Sequence, residues 1–188
     1  SIGEKGNIVA PRLLHSSHWG IICPAETPEG KSVGLSKNLA LLSYITIGEH
    51  PSVIFELVKN MNIISFEDFT DESLSLTKVF INGDWIGSTQ YPEEIINELK
   101  SLRRSGNINP EISMVLDVVH REARISTEGG RLCRPLLIVN NGKIAKSKQP
   151  SPRWSELLSS GIVELIDKEE DEKPKEEATV KNFTSKSF

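Results

Sequence analysis

The chain has 188 residues, 37% of them hydrophobic and 26% charged, with a formal net charge of −4. That length and apolar content suffice for one or two domains with a sizeable core and exclude a wholly disordered chain. No run of about 18 apolar residues occurs, so no helical membrane span is expected, and the charge argues against a free-standing nucleic-acid binder. The acidity is local. Residues 167–177 hold seven acids against three lysines, and elsewhere 19 acids balance 19 lysines and arginines. A run of that kind reads as a solvated loop.

In chain order, Ser1 to Ala10 is unpatterned and reads as a loop without the apolar core of a signal peptide. Arg12 to Leu41 is too irregular to be one helix or strand. Gly20, Gly30 and Gly34 permit unusual backbone angles, while Pro24 and Pro28 fix their own φ and bracket Ala25, Glu26 and Thr27. Leu35, Leu39 and Leu42 give Val33 to Leu41 a short helical spacing, leading into a strand at Tyr44 to Ile47 that Gly48 ends. Pro51 opens a helix whose apolar stripe is Val53, Ile54, Leu57, Val58 and Met61. Ser65 to Thr77 is acidic and serine-rich, a linker.

Lys78 to Ile81 and Trp85 to Gly87 flank Asn82-Gly83-Asp84, a hairpin signal. Pro92, Glu93 and Glu94 open the clearest helix, with Ile95, Ile96, Leu99 and Leu102 on its buried face and Gly106 past its end. Arg103 and Arg104 in its last turn read as complements to the helix dipole rather than as a basic patch. Strands follow at Ser113 to Val119, Ala123 to Ser126 and Arg131 to Val139, with turns at Glu128-Gly129-Gly130 and Asn140-Asn141-Gly142. Pro150 and Pro152 mark a boundary, after which a short helix (Trp154 to Ser160) and a strand (Ile162 to Ile166) precede the charged tail. There is no internal repeat. The fold class is mixed α/β, of the α+β kind.

Two motifs invite chemistry. Glu26 and Glu29 are carboxylates three apart, but with proline between them a loop holding its own backbone is the better reading than acid–base catalysis. His15, His18 and Cys23 resemble an incomplete zinc set without a fourth ligand or a paired-cysteine spacing, so no metal is assigned. Cys23 and Cys133 give no disulfide framework and read as buried small hydrophobes in a reducing compartment. Asn182-Phe183-Thr184 matches a glycosylation acceptor and reads as inert without a secretory signal.

The Arg12–Leu41 stretch also carries a resemblance. His15-x-x-His18-Trp19-Gly20, then Ile22-Cys23-Pro24-Ala25-Glu26-Thr27-Pro28-Glu29-Gly30, Gly34-Leu35 and Lys37-Asn38-Leu39 are similar to the second-largest subunit of multisubunit DNA-directed RNA polymerases, β in bacteria. Trp19, where bacterial chains usually have tyrosine, and Lys37-Asn38-Leu39 resemble the eukaryotic, archaeal or large-DNA-virus branch. The likeness continues more loosely through Asn82-Gly83-Asp84-Trp85-Ile86-Gly87, Leu102 to Glu111, Asp117, Gly129-Gly130-Arg131 and Arg134-Pro135-Leu136.

The resemblance implies a fragment of a multidomain polymerase subunit: residues 1–64 the end of the fork domain with its CPAETPEG loop, 65–150 the first external domain, and 151–188 a truncated start of the second with an acidic tail. With serine at its first position, the chain is expected to be a segment of a much longer one. The resemblance implies a role in transcription, with no catalytic residue inside the segment, Glu29 supporting the active centre by orienting a lysine of the hybrid-binding domain, and Lys31 or Ser32 facing RNA. Arg12, His15 and His18 would lie near nucleic acid or tie the fork to neighbouring domains, while Trp19, Gly20, Pro24, Glu26, Thr27, Pro28, Gly30 and Gly34 build the loop. Bacterial chains commonly have Pro-Asn where Lys31 and Ser32 stand here. No cofactor is implied in the segment. Mg2+ belongs to the largest subunit, the implied partner along with other subunits, the DNA template and the RNA–DNA hybrid. The implied location is the nucleus, or the cytoplasm or virion for an archaeal or viral source. Two other classes fit the residues: a stand-alone adaptor binding protein or RNA through the 12–41 loop, and a small metal-dependent hydrolase using His15, His18 and Cys23.

Overall fold

The computed structural model describes residues 8–65, 68, 75–140, 142–145 and 150–171. Its elements are β1 (Tyr44–Ile45), α1 (Ser52–Lys59), β2 (Thr77–Ile81), β3 (Asp84–Thr89), α2 (Pro92–Arg104), β4 (Ser113–Asp117), β5 (Glu122–Ser126), β6 (Leu132–Leu137), β7 (Val139–Asn140), β8 (Lys143–Ile144), α3 (Trp154–Ser159) and β9 (Val163–Asp167). The fold is α+β.

One layer is a four-stranded sheet in the order β3-β2-β5-β4. β2–β3 and β4–β5 are antiparallel hairpins, and β2 and β5 run parallel, joining them. The β2–β3 turn is Asn82-Gly83, with φ of 50° and 90°, the left-handed pair that a two-residue hairpin matching strand twist requires. Asn82 also pins the turn to the end of β5, since its Nδ2 donates to Thr127 Oγ1 (2.9 Å) and its Oδ1 accepts from the Thr127 N–H (2.8 Å). The helices cover one face of this sheet. Ile54 and Val58 from α1, and Ile95, Ile96 and Leu99 from α2, pack with Val79, Ile81, Met114, Ala123 and Ile125. Leu99 is fully buried, and a side chain of that size contributes about 2–3 kcal/mol on burial. Val53, assigned to the α1 stripe from spacing, is instead half exposed.

The second layer is an antiparallel sheet, β1-β6-β9, with Tyr44 opposite Cys133 and Cys133 opposite Asp167. β9 lies along β6 at five positions, so stretches on either side of Pro150 share one sheet. Charged side chains join the sheets. Arg103, in the last turn of α2 and 2% exposed, donates to both oxygens of Glu170 (2.8 and 2.9 Å), to Glu164 (3.2 Å) and to the Ile112 carbonyl (2.8 Å). Burial opposes its charge, but the two carboxylates more than offset this and hold the guanidinium above its ordinary pKa. Arg104 makes a two-pronged pair with Glu164, and Arg131 pairs with Asp167 (2.8 Å).

Several expectations are corrected. Val33 to Leu41 forms no helix: a 3-10 turn covers Gly30–Ser32, and Leu39 instead bridges to Ile22. Pro51 caps α1 from outside rather than occupying its first turn. Arg103 is a buried ion-pair partner, not simply a dipole complement, because the acids it meets come from the strand and helical turn that fold back on it. The described part of the acidic run, 167–171, is correspondingly no solvated loop: Asp167 and Glu170 are buried. The strand expected over Arg131 to Val139 is interrupted at Ile138, where the backbone passes from β6 to the β7–β8 ribbon. Most of the expected 65–77 linker, Asn182, and the acids beyond 171 lie outside the described residues.

Candidate functional site

Residues 8–45 form a loop-rich segment in which Ile21 is the single buried residue. Its neck is closed by backbone bonds from Cys23 N–H to the Asn38 carbonyl and from Ala40 N–H to the Ile21 carbonyl, each 2.9 Å. Within it Thr27 is the hub. Its hydroxyl accepts from the Gly34 N–H (2.9 Å) and donates to the Ser36 carbonyl (3.0 Å), fastening the proline-bracketed limb to the return limb. Arg12 Nη1 donates to the carbonyls of Lys31 (2.7 Å) and Val33 (2.9 Å), and Asn38 Nδ2 to that of Glu26 (3.0 Å). Gly34, at φ 71°, lies so close to the Arg12 carbonyl that a Cβ there would collide with backbone. A loop tied at this many points keeps its shape without a core beneath it.

The turn Gly30–Ser32 sits at the far end of the loop with Glu29 as its N-cap residue. Glu29, Lys31 and Ser32 are thus brought together on one exposed turn, and Arg12 reaches across to hold its backbone. Pro24, Glu26, Pro28 and Gly30 are exposed, while Thr27 and Gly34 are half-buried, as their fastening roles require. His15 caps and His18 ends a separate turn, Ser16–His18, with their rings edge-to-face at 6.3 Å. His15 Nδ1 accepts from the Ser17 N–H (3.1 Å), while the buried His18 Nδ1 has no hydrogen-bond partner. Among the described residues no group of three His, Cys, Asp or Glu is placed to hold a metal ion. The hollow beside Arg12, His18, Cys23 and Thr27 measures about 90 Å³, well short of the roughly 300 Å³ at which ligand pockets begin. The loop therefore presents a surface, not a pocket.

Apolar side chains crowd that surface. Leu41 is 98% exposed, Ile47 82% and Trp19 75%, with Leu13, Leu14 and Leu42 also uncovered. Large apolar side chains left uncovered mark a contact face where they lie together.

Residues missed in the sequence lie at the loop's root. Glu111 accepts from Tyr44 Oη (2.5 Å) and from the N–H groups of Ile47 (2.8 Å) and Gly48 (3.0 Å). Burial raises its pKa, but these bonds and the Arg131 charge outweigh that and hold the carboxyl below its ordinary range. Its one local signal was Asn109 two residues earlier, whose Oδ1 accepts from the Glu111 N–H. The donors lie more than 60 positions away.

The fastened loop, with its exposed apolar side chains, is carried by an α+β body. Residues 1–45 match the family model described as RNA polymerase Rpb2, domain 3, and residues 79–140 match that for domain 4. The chain belongs to the family of second-largest subunits of multisubunit DNA-directed RNA polymerases, in the branch shared by eukaryotes and archaea. It is 41% identical to DNA-directed RNA polymerase II subunit RPB2 of Encephalitozoon cuniculi and 39% identical to that of Schizosaccharomyces pombe, in each case over 91% of this chain. It is 33% identical, over 86% of the chain, to DNA-directed RNA polymerase subunit Rpo2 of Sulfolobus acidocaldarius. The aligned part is 16% of the length of each of these relatives.

Proposed function

We propose that these residues are the part of a second-largest polymerase subunit that holds the 12–41 loop beside the RNA–DNA hybrid during templated RNA synthesis. What carries the reading is the division of labour inside the loop. Arg12, Thr27, Gly34 and Asn38 are spent on holding its backbone, while Glu29, Lys31 and Ser32 stay exposed together on the Gly30–Ser32 turn. Lys31 would neutralise phosphate of the RNA strand. Glu29 would orient a lysine from the hybrid-binding domain outside these residues. His15 and His18 would line the same face.

The reading divides the chain into the end of the fork (1–64), a first external domain (65–150) and the start of a second (151–188). Its principal partner would be the largest subunit, with other subunits covering the apolar rim. In this reading the Mg2+ of the complete enzyme, which would supply charge stabilisation for nucleotidyl transfer, would reside on the largest subunit. The polymerase II relatives favour a nuclear location.

The test is made in the full-length subunit within the assembled enzyme. Glu29→Ala should change elongation rate or fidelity by up to about a hundredfold with normal assembly, the upper scale for a misplaced positioning group. Gly30→Val should damage both, since Gly30 sits at φ 81°, where a β-branched residue is strained by about 1–3 kcal/mol. Wild-type RNA synthesis by both variants would overturn the proposal.

A further inference from the structure

The loop's attachment to the body is slight in apolar terms. Its exit strand β1 has two residues, Ile45 and Ile47 are exposed, and Leu41 and Leu42 ahead of it touch little. What grips the root is polar. One carboxylate, Glu111, accepts three hydrogen bonds from Tyr44, Ile47 and Gly48. Its own carbonyl accepts from Arg131 Nη2 (2.6 Å), and the Arg131 backbone exchanges bonds with Thr46. From Arg131 the contacts continue to Asp167, whose Oδ1 accepts the Glu170 N–H, and Glu170 grips Arg103 on α2. These contacts form an unbroken polar path from α2 and the four-stranded sheet to the loop's root.

We infer that Glu111 is a positioning residue, setting the pose of the 12–41 loop relative to the body by clamping Tyr44 to Gly48. The inference rests on the reading of that loop as an element beside the hybrid. Glu111 touches neither RNA nor nucleotide in this scheme and acts only through the backbone of the loop's root. A carboxylate suits the task because its two oxygens accept from three donors at once, and charge-assisted bonds of this type are the stronger kind. Glutamine at the same position retains an acceptor for the two N–H groups and can face Tyr44 with its amide, so it should preserve most of the clamp. Alanine removes the clamp entirely.

The experiment uses the full-length subunit in the assembled polymerase, with Glu111→Ala, Glu111→Gln, Tyr44→Phe and, in parallel, Glu29→Ala. Hydrogen–deuterium exchange of the peptide spanning residues 44–48 is read together with elongation rate against nucleotide concentration. Glu111→Ala should raise exchange there and lower the maximal elongation rate, by up to about a hundredfold, with the nucleotide KM within about twofold of wild type because no nucleotide contact is lost. Glu111→Gln should restore most of both, and Tyr44→Phe should show a smaller change of the same sign, which also serves if the alanine variant fails to assemble. Unchanged exchange, equal defects in the alanine and glutamine variants, or full elongation by Glu111→Ala beside an impaired Glu29→Ala would overturn the inference. Wild-type elongation by all four would overturn the loop reading, and this inference with it.

Discussion

Replacing Glu170 with leucine tests how the two sheets are joined. Glu170 is 4% exposed and meets Arg103, itself 2% exposed, through both oxygens. Removing it leaves the guanidinium buried with Glu164 at 3.2 Å and the Ile112 carbonyl at 2.8 Å. Breaking a buried pair on one side costs about 3–5 kcal/mol, and the surviving Glu164 places this variant near 3 kcal/mol. Arg103→Met should cost as much or more, since Glu170 then keeps only Lys100 at 3.8 Å as a cation within ion-pair range among the described residues. The double variant is the discriminating case. With both charges gone Glu164 retains Arg104, and the remaining penalty is the unpaired Ile112 carbonyl, about 1–3 kcal/mol. Urea unfolding of the 188-residue chain and its three variants, followed by far-UV circular dichroism, should give a double variant more stable than the sum of the singles by about 3 kcal/mol or more. Additive losses, or a Glu170→Leu loss below about 1 kcal/mol, would refute the reasoning.

Two further outcomes follow from the titrating groups. Glu111 and Glu164 are both held below their ordinary value of 4.5: burial opposes this, but bonds from Gly48, Tyr44 and Ile47 outweigh it for the first, and Arg104 and Arg103 for the second. Carboxyls lowered on folding contribute stability that is full above 4.5 and is lost as pH falls through their folded values. Unfolding free energy should therefore decline below about pH 5, and more gently in Glu111→Gln and Glu164→Gln, whereas an unchanged slope in those variants would contradict the assignment. Cys133 is buried, and desolvation, with Asp167 adding to it, pushes its thiol up to about 12. Under a thiol-specific disulfide reagent at pH 8, half-buried Cys23 should react in the native protein and Cys133 only after denaturation; rapid native modification of both would contradict the burial of Cys133.

What was legible in the sequence was what neighbours decide. Asn82-Gly83 announced its turn because only that backbone closes a two-residue hairpin, and α2 carried its own proline, first-turn acids and apolar spacing. The CPAETPEG motif exposed the family through an odd, ungapped run of residues. Three things were hidden by distance. β9 pairs with β6 across a proline-marked break, so nothing local in Val163–Asp167 names its partner. The acids at 167–171 look like any solvated charge run until Arg103, Arg131 and Arg134 are brought against them. The leucine spacing over Val33 to Leu41 suggested a helix, but Thr27 and Arg12 hold that backbone from elsewhere and the leucines turn outward.

The parallel pairing of β2 with β5 has a consequence for how the chain is made. β2 acquires β3 across a two-residue turn almost as soon as both leave the ribosome, yet its other edge waits for Glu122–Ser126. That strand emerges about forty residues later, roughly two to eight seconds at usual synthesis rates. Through that interval the nascent hairpin shows an unpaired edge carrying Val79 and Ile81, side chains that end up fully buried in the core. α2 is synthesised within the same interval and can fold from local signals alone, so it is positioned to lie over that hairpin before its final neighbour arrives. The Asn82–Thr127 bonds, made last, would then register completion of the sheet.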